Sequence, residues 1–480
     1  MARLSPLQRK LKLKNPSASA KQKRSQAQVD IEIVTLPVGK HLNLELENLS
    51  HDGRGVGRWE GKTIFVEGGL KGESVKAEVL SDHKTHAEAR LLELKQPSDQ
   101  RVTPFCPVYD TCGGCQLQHL EPSAQVSYKQ AAIAEQLRRL ANIEPQQWAQ
   151  PIVGENLGYR RRAQLATRYF ADSKTLLLGF RQSGHKHIVP ITHCPVLEPA
   201  LSDLLVPLHD VLVTMAHTQW VTHVEVLQAN SGPCISLKVS DALIMDDQLL
   251  LAAFAKQYSV SLVCQQTDHD DLWLSGTKDG LSYSVSVAGI DKSIELDFAV
   301  QDFVQVNAKV NQGMINQAIE WLEPCAGDQV LDLFSGVGNF SLPIASMADQ
   351  HVTVLALEGD YAMVKQGREN ARRNGFALVD FEHADLFETS ARKQWQRKSF
   401  NKALLDPPRA GAKGIAQMLK GQPLERVVYV SCNPASMARD LKEFQSLGLH
   451  VDKVGCIDMF PHTPHLEVMA LLVRTNVKRT

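Results

Sequence analysis

From about residue 300 onwards, short apolar runs alternate with glycine-rich loops and helical segments. The runs are continuously apolar and lie at 330–333, 352–357, 378–381, 403–405, 427–430 and 468–473. Strands that are apolar on both faces are typical of parallel sheets covered by helices on both sides. Residues 301–480 are therefore predicted to form an α/β domain of the Rossmann-like type.

The rest of the chain predicts a multidomain protein, since 480 residues exceed what one core normally organises. Residues 33–96 alternate short strand-like runs with glycine-rich turns, which indicates a small OB-like β-barrel. Residues 97–300 mix strand-like runs with few helical patterns, apart from a helix at about 123–141. They are predicted to form an α+β central domain.

The N-terminal segment, residues 1–32, is predicted to be a disordered basic tail. Its first 29 residues hold eight Lys or Arg side chains and no acidic one. Such a tail can contact phosphates, although a solvated terminus without a role is an equally good interpretation.

Charge and hydropathy narrow the class of protein. Lys plus Arg number 52 and Asp plus Glu 53, so the net charge does not by itself indicate nucleic acid. No apolar stretch approaches the ~18–20 residues that cross a bilayer, and no apolar segment of a signal peptide follows the basic terminus. A cytoplasmic protein without membrane contact is expected, in which the nine cysteines serve as thiols, metal ligands or catalytic groups rather than disulfides.

A glycine loop follows the first strand of the C-terminal domain. Gly336 and Gly338 allow a ligand to approach the backbone closely, and the absence of a third glycine favours an adenosine ligand over a pyrophosphate. Glu358 ends the next strand, where a carboxylate can accept both ribose hydroxyls. Asp385 ends the third strand and can face adenine or cap a helix. The pattern resembles class I S-adenosylmethionine-dependent methyltransferases.

Three reactive side chains accompany the later strands: Asp406, Cys432 and Glu467. Beside a methyl donor, a thiolate can add to C6 of uracil and make C5 nucleophilic, after which a base removes the C5 proton. Cys432 suits the first step and Glu467 the second, while Asp406 can hold the N3–H and O4 edge. The alternatives are a buried structural cysteine, a surface glutamate, and the Asp-Pro-Pro turn of enzymes that methylate amines.

The segments Leu405-Asp406-Pro407-Pro408-Arg409, Ser431-Cys432-Asn433-Pro434 and His465-Leu466-Glu467 resemble the motifs of the RNA uracil-C5 methyltransferase family. The resemblance covers about residues 35–480. It implies that Cys432 is the nucleophile and Glu467 the base. The cofactor-binding positions that it implies are Gln305, Phe334, Asn339, Glu358, Asp385 and Asp406. Asp385 departs from the pattern, because some members of the family carry an amide there.

Four cysteines form a further candidate site: Cys106, Cys112, Cys115 and Cys194. Their spacing fits a zinc ion and an iron–sulfur cluster about equally well. The resemblance to ribosomal-RNA members of the family implies a [4Fe-4S] cluster in the central domain, with a structural, RNA-holding or redox-sensing role. The barrel resembles the TRAM domain, an RNA-binding module.

The target base must be in a loop or flipped out, because a stacked uracil hides C6. Phe303 is a candidate for stacking on it. Basic candidates for the RNA backbone are Arg160, Arg161, Arg162, Arg181, Lys186 and His187. Barrel and cysteines together resemble the members that modify 23S ribosomal RNA, and no obligate protein partner is expected. The alternatives are tRNA methylation, an amine methyltransferase, and a non-catalytic RNA-binding iron–sulfur sensor.

Overall fold

The structure is a computed structural model that describes residues 34–267, 269–388 and 394–474. The predicted basic tail lies outside the described residues. Within those ranges, no helix combines the length and the apolar composition that crossing a membrane requires.

The N-terminal unit is a closed five-stranded barrel, as the alternating pattern predicts. Its strands are β1 (His41–Leu49), β2 (Gly55–Trp59), β3 (Lys62–Glu67), β4 (Ser74–Asp82) and β5 (His86–Gln96). Every second side chain of β1 is buried, from Leu42 to Leu46, which gives the barrel an apolar interior. Neighbouring strands are antiparallel except β3 and β5, which run parallel and close the barrel.

The predicted helix at about 123–141 is present as α1 (Pro122–Ala141), followed by the short strand β6 (Gln147–Trp148). The Glu121 side chain accepts a hydrogen bond from the Ala124 amide, and Pro122 occupies the first turn, so both residues favour the helix start here. Yet α1 buries Ile133 and Leu137 in the core of the C-terminal domain, and β6 extends the C-terminal sheet. The predicted assignment of this segment to the central domain therefore does not match its packing. The amphipathic spacing of a helix does not reveal which sheet the helix covers.

The central unit is built on a seven-stranded sheet with the order β13-β12-β11-β10-β7-β8-β9, antiparallel except for β11 and β12. Its elements are β7 (Arg162–Phe170), β8 (Thr175–Arg181), β9 (Ile188–Pro190), α2 (Pro199–Ser202), α3 (Leu205–Thr214), β10 (Val221–Ala229), β11 (Gly232–Val239), α4 (Met245–Tyr258), β12 (Ser261–Gln266) and β13 (Leu272–Ser275). A hairpin of β14 (Ser282–Val287) and β15 (Ile290–Asp297) follows and packs into the core of the C-terminal domain.

The C-terminal unit has an eight-stranded sheet with the order β18-β17-β16-β19-β20-β22-β21-β6. Its elements are α5 (Ala308–Leu322), β16 (Gln329–Leu333), α6 (Ser341–Ala345), β17 (Thr353–Glu358), α7 (Tyr361–Asn374), β18 (Val379–His383), β19 (Lys402–Leu405), α8 (Ile415–Met418), β20 (Arg426–Ser431), α9 (Pro434–Gln445), β21 (Leu449–Ile457) and β22 (Glu467–Arg474).

The expected parallel sheet is present from β16 to β20, but β22 runs antiparallel to both of its neighbours. A continuous apolar run does not encode strand direction. Residues 458–466 connect β21 directly to β22, without a crossover helix. Strand β22 therefore begins at the edge of the sheet where the parallel strands end.

Candidate active site

The reversal of β22 brings Glu467 close to Cys432. Cys432 directly follows β20, whereas Glu467 is the first residue of β22. In the antiparallel register, Ser431 pairs with Val468, so the end of one strand lies beside the start of the other. Asp406 directly follows β19, which is the neighbour of β20 on its other side. The structure thus gathers the three predicted reactive residues at one edge of the sheet.

Burial shifts the ionisation of both carboxyl groups of this trio towards the protonated form. Glu467 is 5% exposed, and its pKa is raised to about 8, mainly by burial and then by Asp406, while Lys129 opposes the rise. The pKa of Asp406 rises to about 7 through burial, although part of its side chain remains accessible to solvent. Two acids in one poorly solvated site are expected to bind protons at neutral pH.

The thiol of Cys432 experiences the same environment. Its pKa is raised by burial first and then by the negative charges of Glu467 and Asp406, while Arg409 lowers it. The side chain is half-buried, so a reactant can reach it. In this state the pocket holds a thiol rather than a thiolate, and an added positive charge would favour ionisation of all three groups.

The predicted cofactor residues line the edge that continues from this trio. One oxygen of Glu358 accepts the Gly336 amide at 3.0 Å, and the other accepts the amides of Gly359 at 2.7 Å and Asp360 at 2.9 Å. These contacts fix the carboxylate beside the glycine loop. At Gly338, where φ is 106°, an added Cβ would lie 3.1 Å from Phe381, so the loop requires glycine there.

A polar network joins the remaining predicted residues to the central unit. Asn339 exchanges two hydrogen bonds with Asn311 and accepts a third from the Tyr283 hydroxyl. Gln305 is buried, and its backbone carbonyl accepts a hydrogen bond from Nε of Arg161 at 2.7 Å. Phe334 adopts a φ of 65°, and its ring lies 5.7 Å from that of Phe387. Such a backbone outlier in a non-glycine residue is common where a ligand is bound.

Comparison with known proteins shows what this arrangement is similar to. Residues 122–475 match the family model described as tRNA (Uracil-5-)-methyltransferase, and residues 36–92 match the TRAM domain. The chain belongs to this family of RNA uracil-C5 methyltransferases. The expected family is thereby confirmed, and so is a TRAM domain in the N-terminal barrel.

Relatives named as ribosomal-RNA enzymes are similar to nearly the whole chain. The 23S rRNA (uracil(1939)-C(5))-methyltransferase RlmD of Shewanella sediminis is 41% identical over 90% of this chain and 95% of its own length. The protein of the same name from Pectobacterium atrosepticum is 41% identical over 90% and 94%. The solved Pyrococcus abyssi tRNA (uracil-54, C5)-methyltransferase in complex with S-adenosyl-L-homocysteine has a TM-score of 0.68 at 23% identity, covering 90% of this chain and 100% of that one. It shows the shared fold.

The four predicted metal-ligating cysteines of this family member line one cavity of about 220 Å³. Cys194 approaches from the loop between β9 and α2, far in sequence from the other three. The pKa of Cys115 is raised to about 11, mainly by burial, and the neighbouring thiols contribute to the rise. The structure therefore brings together the thiol quartet, by which we mean Cys106, Cys112, Cys115 and Cys194.

No three sulfur atoms of the thiol quartet lie within 4.8 Å of one another. Four sulfurs around one zinc ion would lie about 3.8 Å from one another. In the described ranges, three metal-ligating atoms come within 4.8 Å of one another only at His83, His86 and Glu88 on the barrel. There, Arg54 already donates to Glu88 at 3.0 Å, and its charge opposes a metal cation.

The structure corrects the predicted RNA contacts of the arginine run. Arg161 is 5% exposed, with its guanidinium group 4.7 Å from the centre of the Tyr283 ring. Arg162 forms an ion pair with Glu225 at 2.7 Å and donates to two backbone carbonyls. Both side chains therefore stabilise the interior of the protein. The prediction was wrong for them because a run of arginines in the sequence does not show which side chains face solvent. Arg181 and Phe303 are exposed and stay predicted RNA contacts, as do Lys186 and His187.

Asp385 remains a predicted cofactor residue with a second role. Its side chain is exposed, and one oxygen accepts the amides of Phe387 at 2.9 Å and Glu388 at 3.2 Å. These are the contacts of a turn in the loop after β18, since no helix begins at residues 386–388.

Sequence reasoning missed one acid in the cofactor cleft. Asp332, at the end of β16, is 1% exposed, and burial raises its pKa to about 7. Ser341 donates to one of its oxygens, while the other is buried with no partner in the described residues. The position of Asp332 directly before the glycine loop could have suggested a role in this cleft. The sequence does not show, however, to which side of the strand its carboxylate points.

Proposed function

We propose that this methyltransferase transfers a methyl group from S-adenosylmethionine to C5 of a specific uridine in 23S ribosomal RNA, giving 5-methyluridine. The placement of Cys432, Asp406 and Glu467 beside the glycine loop carries the proposal. The relatives named as 23S rRNA methyltransferases support the choice of RNA, since they share the barrel and the family domain over nearly their whole length.

The cofactor cleft fits the adenosine and sulfonium parts of S-adenosylmethionine. The glycine loop admits a ligand close to the backbone, and Glu358 is fixed where it can accept ribose hydroxyls. Asp332 offers a buried acceptor without a partner, and the acids of the pocket favour a cation. When bound, the cofactor supplies an electrophilic methyl group and a positive charge.

Catalysis begins at Cys432. Its thiolate forms a bond to C6 of the flipped-out uracil, and the ring electrons collect at C5 and O4 as an enolate. Asp406 holds the N3–H and O4 edge of the ring. The C5 carbon then bonds to the methyl carbon while the bond from that carbon to the cofactor sulfur breaks, so a neutral thioether leaves and C5 carries both the methyl group and its original hydrogen.

Glu467 completes the reaction. Its carboxylate removes the proton from C5, the electron pair reforms the C5–C6 double bond, and the C6–S bond breaks to release Cys432 as thiolate. The carboxyl must therefore be ionised when this step occurs. The sulfonium charge is present from cofactor binding until methyl transfer, so Glu467 can lose its proton before the base is needed, and Lys129 already opposes the rise of its pKa.

The thiol quartet fits a [4Fe-4S] cluster better than a zinc ion. The cavity of about 220 Å³ and the wide spacing of the sulfurs both support this assignment. Methyl transfer involves no net oxidation or reduction, so the cluster would serve to organise the central unit.

A fluorinated substrate tests the proposed reaction. The full-length protein is incubated with S-adenosylmethionine and a 23S rRNA fragment containing 5-fluorouridine, then denatured. Because fluorine cannot leave C5 as a proton, we expect a denaturant-stable adduct through Cys432. Cys432→Ala should abolish it, whereas Cys325→Ala, at an exposed thiol, should retain it.

Each alternative predicts a different result in the same experiment. An adduct formed with tRNA and not with the ribosomal fragment would transfer the proposal to tRNA. Methyl transfer without any adduct would indicate an amine methyltransferase, and RNA binding without methyl transfer would indicate a sensor protein.

A further inference from the structure

The loop that leads to Glu467 is held by residues outside the C-terminal sheet. We call residues 458–466, between β21 and β22, the base loop, and residues 105–117, which carry three members of the thiol quartet, the cysteine loop. The two loops touch at His462. This residue is 2% exposed and has a φ of 65°, a conformation that is costly for a histidine and persists only where its surroundings impose it.

His462 binds the cysteine loop at both ends. Its carbonyl accepts the amides of Gln116 and Leu117, each at 2.9 Å, directly after Cys115. Its ring packs edge-on against Phe105, the residue before Cys106, with 4.9 Å between the ring centres. Any displacement of Cys106 or Cys115 therefore reaches the backbone of the base loop through one residue.

Helix α1 holds the same loop from a second side. The Gln125 side chain accepts the His462 amide at 2.8 Å, donates to the carbonyls of Leu117 and Leu120, and lies 3.2 Å from His462 Nδ1. One turn further along the helix, Lys129 is fully buried and donates to Asp458 at 2.6 Å and to the Phe460 carbonyl at 2.8 Å. Gln125 therefore contacts both loops at once.

His462 is also fixed through its ring. Its Nε2 donates to the Asn156 carbonyl at 2.8 Å, which leaves Nδ1 as the acceptor that faces Gln125. The hydroxyl of Tyr159 donates to the Pro461 carbonyl at 3.1 Å. These contacts all fall on residues 458–462, the first half of the base loop.

We propose that His462 and Gln125 are positioning residues that couple the cysteine loop to Glu467, so that the state of the thiol quartet controls removal of the C5 proton. The proposal rests on the proposed function for the role of Glu467. It assigns the cluster a specific task, which is to keep the base loop in the one conformation that places the carboxylate over C5.

Hydrogen exchange tests the coupling without RNA and without catalysis. The full-length protein loaded with iron and sulfide is compared with Cys115→Ser and with His462→Asn, since asparagine tolerates a positive φ but cannot reach the contacts of the ring. We expect the amides of residues 459–467 to lose protection by about tenfold or more in both variants, with strand β20 unchanged. Unchanged protection of residues 459–467 in either variant, while β20 stays protected, would overturn the proposal.

A second measurement separates positioning from general damage. With ribosomal RNA tritiated at uridine C5 and labelled S-adenosylmethionine, Gln125→Met should slow tritium release by 10- to 100-fold, because small displacements of a catalytic group are this costly. Methyl transfer in the first turnover should change less than about threefold, so methylated adduct accumulates. The matched control is Gln136→Met, a half-buried glutamine on the same helix.

The outcomes are distinct. Equal slowing of both steps in Gln125→Met would indicate a structural role and overturn the proposal. If the wild-type protein released no tritium and formed no adduct, the proposed function would fail, while the exchange experiment would still report whether the two loops are coupled.

Discussion

Among the described residues, the pockets around Cys432 and Cys115 both raise the pKa of a thiol through burial, and they differ in what surrounds the sulfur. Around Cys432 the neighbouring negative charges are carboxylates, from Glu467 and Asp406, and Arg409 opposes them. Around Cys115 they are other thiols of the quartet. Both pockets favour a cation. The pocket of Cys432 contains carboxyl groups that can exchange protons, and it suits a sulfonium that binds and leaves in each turnover. The pocket of the thiol quartet offers thiols as ligands, and it suits a metal group that stays bound.

Removing the base should have the largest effect on this contrast. In Glu467→Gln the amide cannot accept the C5 proton, so thiol addition and methyl transfer proceed and the C6–S bond remains. We expect turnover to fall by about 10²- to 10⁴-fold, with a methylated, denaturant-stable adduct formed from ordinary uridine RNA. Gel electrophoresis under denaturing conditions and mass spectrometry of the adduct measure this. Undiminished turnover would show that another group is the base.

Substitution in the thiol quartet should also lower the stability of the protein, in addition to its effect on the base loop. In the double variant Cys112→Ser and Cys115→Ser, we expect loss of bound iron and of its visible absorbance. The melting temperature should fall by about 10 °C or more, because a structural metal site contributes several kcal/mol to folding. The control is Cys325→Ser at an exposed thiol. If the double variant lost its iron but melted at the wild-type temperature, the thiol quartet would not be a structural metal site, and the proposed difference between the two pockets would be wrong.

The sequence predicted the contents of both pockets better than it predicted their supports. Asp406 and Cys432 follow apolar strands, and the edge of a parallel sheet gathers such residues whatever the details of packing. Glu467 joins them only because β22 is reversed, which its apolar run does not encode. Likewise, the role of α1 depends on Gln125 and Lys129, whose partners lie more than 300 residues away. Contacts of this kind arise from tertiary packing and leave no local pattern.

The pH dependence of the reaction should show whether the sulfonium of the cofactor changes the ionisation of the groups around Cys432. Before the cofactor binds, Glu467 with a pKa of about 8 is mostly protonated at neutral pH, and Asp406 with a pKa of about 7 is partly protonated. Cys432 attacks only as a thiolate, and burial and the two carboxyl groups raise the pKa of its thiol, so kcat/KM for S-adenosylmethionine should rise with pH by up to about tenfold per unit around neutral pH.

The same profile measured as kcat reports the pocket with the sulfonium already bound. Since a nearby positive charge stabilises carboxylates, the apparent pKa of kcat should lie below that of kcat/KM. Steady-state rates from pH 5.5 to 9.5 measure both. Identical apparent pKa values would mean that the cofactor's charge does not reach the carboxyl groups, and the two pockets would then differ only in composition.

The smallest effect is expected at Arg409, the resident cation near Cys432. Its guanidinium lowers the pKa of the thiol, but the side chain is exposed and water screens its charge. In Arg409→Gln, formation of the 5-fluorouridine adduct should slow by about two- to threefold, and the slowing should diminish as salt is added. Lys420→Gln, at an exposed position, serves as the control. A hundredfold loss that persists in high salt would instead assign Arg409 a direct contact with the RNA, because screening removes long-range charge effects but not a buried ion pair.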